Sequence, residues 1–205
     1  MPFLQHSWLR TWHDLDLAAP EELRLRLLAA YAEPQRHYHT RQHLQECLAH
    51  FAAVLALAQR PGEVALALWF HDAVYDPRAG DNEARSAEWA RAALLSHGAS
   101  AEQAGRVQAL ILATRHCEAP TEPDAQLLLD IDLAILGAAP ARFAEYAAQV
   151  RREYAWVDEV HYQTQRRGVL QGFLDRPVIY HTVWFRERYE QAARANLRES
   201  VSGLA

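Results

Sequence analysis

Hydrophobic positions recur along this chain at the three-to-four-residue spacing of amphipathic helices, and no run of useful length alternates as a strand does. Pro20 opens one such stretch, predicted to run to about Glu33. Thr40 is placed to cap a second, to about Ala58, and Pro61 starts a third that reaches about Tyr75. The turn-like DPRAGDN (76–82) leads to a helix ending near His97-Gly98, followed by one over about 101–116 that stops at the loop CEAPTEPD. Further helices are predicted at about 123–137, 140–157 and 159–175. Arg176-Pro177 then breaks the pattern before a last helix from about Tyr180 to Val201. The expectation is an all-α single domain over 1–205, a bundle of about eight helices.

Several polar residues interrupt these apolar helices. In EVALALWFHDAVYD, apolar residues surround His71 and Asp72 on nearly every face, as in a buried helix. An unpaired buried carboxylate is costly. Neighbouring helical residues point about 100° apart, so these two are poor partners for each other but can converge on a third object such as a cation. In RHYHTRQHLQECLAHF, His43 borders the stripe Leu44, Cys47, Leu48, Phe51, Leu55, and His39 shares its helical face if the helix begins by Tyr38. Cys47, one turn after His43, is either a soft ligand or a small buried hydrophobe.

LLLDIDLAILG carries two carboxylates about 200° apart, so only one of them faces the core. Asp132, flanked by Leu128, Leu129, Ile135 and Leu136, has the more apolar setting and is the expected ligand, with Asp130 as the fallback. His97 and His116 stand at helix ends, where an exposed histidine is unremarkable.

Composition narrows the chemistry. A chain of 205 residues suffices for one well-buried domain, and a net charge of −5 argues against binding nucleic-acid backbone. Two cysteines without a C-x-x-C suggest a reducing cytoplasm rather than a disulfide framework. The N-terminal MPFLQHSWLRTW carries no secretion signal, and the apolar runs at 51–58 and 64–70 are too short to span a bilayer. A soluble cytoplasmic protein is expected.

Taken in order, His43, the adjacent His71-Asp72 and Asp132 form the H…HD…D pattern of the HD-domain superfamily. The strings YHTRQH, FHDAVYD, NEARSAEW and DIDLAILG resemble a bacterial group of predicted metal-dependent HD phosphohydrolases. The resemblance implies a metal-binding core over about 34–137, with helices over about 140–201 packed on it. It implies metal binding by His43, His71, Asp72 and Asp132. By similarity to the cyclic-nucleotide phosphodiesterase branch, it makes His39 the general acid. His97 and His116 are the candidates for a second metal.

Such a mixed N/O set suits Mn, Fe, Co, Ni, Zn or Mg. It would acidify a bound water and polarise a phosphoryl oxygen, with Asp72 orienting the water. Arg36 and Arg85 are candidates to balance phosphate charge, and Asp76 to orient a ligand imidazole or only to make a turn. The expected substrate is a small phosphoester or nucleotide, and the aromatic C-terminal third packs on the core or forms a homodimer surface. Two alternatives stand beside hydrolysis: a di-iron oxygenase on the same scaffold, and a ligand-sensing module without turnover.

Overall fold

The computed structural model describes residues 2–117 and 119–203. Among these the chain is helical throughout, with ten α-helices and no strand. It divides into two compact units, Met1–Leu129 and Asp130–Ala205, with the division falling inside one helix.

The first unit holds α1 (Pro2–Asp14), α2 (Glu21–Ala30), α3 (Arg41–Val54), α4 (Pro61–Phe70), α5 (Asn82–Ser96), α6 (Ala101–Ala113) and most of α7 (Pro123–Asp132). The helical period did not single out α1, yet Leu4, Trp8, Thr11 and Trp12 form its buried face. The α3 segment is shorter than the expected helix to Ala58, because its last turn tightens into a 3₁₀ turn at Leu55–Leu57.

The centre of this unit is α4. Every residue from Gly62 to Phe70 is buried, and α1, α3, α5 and α6 all pack against it. Trp69 meets Trp8 edge-on with ring centroids 5.0 Å apart, and Trp8 meets Trp12 at 5.4 Å. At Gly62 a Cβ would stand 2.8 Å from the Asp14 carbonyl carbon, so only glycine lets the end of α1 come this close. The start of α4 is tied by Asp124, which accepts from the Gln59 and Arg60 amides at 2.7 and 2.9 Å. Buried Glu63 is held by the guanidinium of Arg106.

The second unit continues from α7 into a 3₁₀ segment (Leu133–Gly137), then α8 (Pro140–Glu153), α9 (Glu159–Leu174) and α10 (Val183–Gly203). The 3₁₀ segment lies against α10, where Asn196 donates to the carbonyls of Leu136 and Ala138, both at 2.9 Å. Gly137 allows this approach, since a Cβ there would meet Tyr189 at 2.8 Å. Tyr180 donates to the Leu133 carbonyl at 3.0 Å, and burial pushes its phenol far above the usual range.

Candidate metal centre

The site is built where α4 stops. The sequence pattern extends this helix to Tyr75, but it ends at Phe70, with His71 as its C-cap and Asp72 in the following turn. Leaving the helix frees the two side chains from the fixed angle that separates neighbours on a helix. They meet, with His71 Nε2 3.0 Å from Asp72 Oδ2. From α3, His43 reaches the same point: its Nε2 lies 3.0 Å from His71 Nε2 and 3.4 Å from Asp72 Oδ2. Both histidines are buried, whereas the Asp72 side chain is 18 % exposed and keeps one side of the cluster open.

These three atoms have the spacing of metal ligands. Donor atoms each about 2.1 Å from one ion stand about 3.0 Å apart at a right angle and about 3.4 Å apart at the tetrahedral angle. The triangle of 3.0, 3.0 and 3.4 Å matches one face of such a coordination polyhedron. The ring of His71 is fixed in orientation: its Nδ1 lies 2.9 Å from the Leu68 carbonyl, a bond that requires the proton on Nδ1 and leaves the Nε2 lone pair toward the cluster. Burial alone raises the Asp72 carboxyl, but the imidazoles of His71, His39 and His43 together outweigh it and hold the group well below the usual carboxylate range.

Cys47 belongs to the same cluster, and one ligand atom each from His43, Cys47 and His71 lie within 4.8 Å of one another. Its sulfur is 3.7 Å from both ring nitrogens of His43. In the ring plane that position would collide with Cε1, so the thiol rests against the face of the imidazole.

Two residues whose part the sequence did not disclose hold the turn in shape. The Tyr31 hydroxyl donates to the Trp69 carbonyl and accepts from the Asp72 amide, both at 3.3 Å, and burial pushes its phenol up to about 12. Arg36 is not at a phosphate-binding surface. It is 4 % exposed and donates to the carbonyls of His39 (3.1 Å), Asp72 (2.6 Å) and Ala73 (3.0 Å), while its Nε pairs with Glu33 at 3.1 Å. The rings of Tyr31 and Tyr75 flank its guanidinium at 5.2 and 5.4 Å.

His39 lies outside α3, which begins at Arg41 behind the Thr40 cap, so no shared helical face pairs it with His43. The turn nevertheless brings the two rings to 6.0 Å, with His39 stacked on Tyr75 at 4.2 Å.

Asp130, not Asp132, is the fully buried carboxylate of its pair, reversing the burial order read from neighbouring leucines. It accepts from the His181 amide and from the amide and hydroxyl of Thr182, all at 2.7 Å, so its burial has a structural cause. Asp132 is half-buried and closes α7. His97 caps α5, with Nδ1 2.7 Å from the Ala93 carbonyl, and packs edge-on against Trp12. His116 follows α6 with a left-handed φ of 55°. Neither joins the metal-ligating group found among the described residues. Arg85 is exposed, 4.0 Å from Asp81. Asp76 makes a turn, accepting from the Arg78 amide at 2.9 Å while its own backbone pairs with the Asn82 side chain.

A cavity of about 690 Å³ lies at the opposite end of α4, lined among others by Arg60, Arg106, Leu110 and Pro120, and contains none of the cluster residues. The cluster and this cavity are thus separate. Comparison with known families, curated proteins and solved structures finds no match.

Proposed function

We propose that this chain is a metal-dependent phosphohydrolase acting on a small phosphoester or nucleotide. The observation that carries the reading is the ligand-sized triangle of His43 Nε2, His71 Nε2 and Asp72 Oδ2 with the His39 imidazole beside it. Asp132 is proposed as the fourth ligand, following the H…HD…D order and the likeness to HD-domain phosphohydrolases. A divalent ion held by this set would supply Lewis-acid polarisation of a phosphoryl oxygen and a water acidic enough to attack near neutral pH.

The protein's own groups do the rest. His71 presents Nε2 because its Nδ1 is engaged by Leu68. Asp72, partly open to solvent, accepts a hydrogen bond from the attacking water and orients it. His39, not counted among the ligands, holds a proton on its ring nitrogen and passes it to the leaving oxygen. Its stack on Tyr75 holds the ring in place. A di-iron oxygenase would need His97 and His116 as ligands, and His97 is engaged in capping its own helix.

The test is a phosphate-release screen over nucleotides and sugar phosphates with metal-loaded protein. Release that stops with chelator and with His71→Ala supports the reading. Metal-loaded protein that releases no phosphate from any of them, or consumes oxygen instead, overturns it.

A further inference from the structure

Arg36 is a buried cation that the proposed chemistry does not use. Its guanidinium makes hydrogen bonds to three carbonyls on two separate segments: His39 on the turn before α3, and Asp72 and Ala73 on the turn after α4. Its Nε pairs with Glu33, and tyrosine rings cover it on two sides. A planar fork can hold several carbonyls at fixed directions, which the single point charge of a lysine cannot reproduce.

We infer that Arg36 is a positioning residue that locks the backbone carrying the proton donor His39 to the backbone carrying Asp72, and so sets the distance between the two. The inference rests on the hydrolytic reading for its catalytic meaning, while the mechanical link stands on the hydrogen bonds alone. Charge balance at the substrate is not its role, since its side chain is closed off from solvent. Errors of about 1 Å in such placement cost on the order of 10²-fold in rate. Loosening Arg36 should therefore act through His39.

Two measurements on the full chain test this. By hydrogen exchange, Arg36→Lys should speed exchange about ten-fold or more in both turns, 37–40 and 71–75, with α5 and α6 unchanged. Loosening of 37–40 alone would overturn the link, whatever the protein hydrolyses. By kinetics, Arg36→Lys should lower kcat at least about ten-fold on an alkyl phosphate and much less on p-nitrophenyl phosphate, whose leaving group needs no proton.

Combined with His39→Ala, the lysine change should add little further loss. Equal losses on the two substrates, or full additivity with His39→Ala, would show a general structural role and overturn the inference. Should Arg36→Lys fail to fold, Glu33→Ala removes the Nε anchor together with an exposed bond from Gln35, leaves the three carbonyl bonds of Arg36 in place, and should give the same pattern at smaller size. If the wild-type chain hydrolyses neither substrate, the hydrolytic reading fails and the exchange result still decides the link.

Discussion

Replacing Asp130 by asparagine separates the structural carboxylate from the proposed ligand two residues on. Asp130 accepts three hydrogen bonds of 2.7 Å from His181 and Thr182 and has no solvent exposure. Asparagine with its oxygen at the Oδ2 position keeps both Thr182 bonds, but its NH₂ then faces the His181 amide, so one bond is lost and two donors confront each other. Each buried donor left without a partner costs about 1–3 kcal/mol. His181 and Thr182 are only half-buried, and water can reach them, which favours the lower end. The expected loss is about 2–4 kcal/mol, or roughly 4–16 °C in Tm at about 2–4 °C per kcal/mol for a chain of this size. Urea and thermal unfolding of metal-free protein read the loss directly. Asp132→Asn leaves those bonds intact and should cost under about 1 kcal/mol in the same assay. Metal analysis should show the opposite order, with Asp132→Asn losing occupancy and Asp130→Asn keeping it. Asp130→Asn that strips the metal while leaving stability unchanged would refute the assignment.

Tyr31→Phe removes two long hydrogen bonds at the Asp72 turn and should cost about 1 kcal/mol, with a several-fold weaker metal affinity by competitive chelation. His97→Ala should lower stability through its lost cap and Trp12 contact while metal content stays unchanged; loss of metal would bring His97 back into the site. In metal-free protein the Asp72 carboxyl is held below its unfolded value of about 3.9. Its contribution to stability is then complete above that value and lost as pH falls through the folded pKa. Acid unfolding of Asp72→Asn should lack this component, and an unchanged acid limb would contradict the shift.

Much of this was legible because the signals were local. An apolar run that surrounds His71 and Asp72 on every face announces a buried helix, and α4 is buried from Gly62 to Phe70. The stripe Leu44, Cys47, Leu48, Phe51 likewise placed α3. α1 was not among the expected helices, although its buried face, Leu4-Trp8-Trp12, keeps the same period. What stayed hidden depends on partners distant in sequence. Arg36 meets the Asp72 carbonyl across 36 positions, and Tyr31 meets the Asp72 amide across 41. The burial of Asp130 is decided by His181 and Thr182, 51 and 52 positions away, so its neighbouring leucines could not rank it against Asp132. The early stop of α4 also has no local signature. There the turn's amide and carbonyls are bonded to Tyr31 and Arg36.

The central claim is that His43, His71 and Asp72 hold an ion. Elemental analysis of protein purified without chelator, beside His43→Ala, His71→Ala and Asp72→Ala, tests it most directly. The wild-type chain should carry about one or more equivalents of a divalent first-row metal or magnesium. In each variant occupancy should fall sharply, with helical content by circular dichroism retained. A wild-type protein that binds no such ion after reconstitution and dialysis, or variants that retain full occupancy, would contradict it.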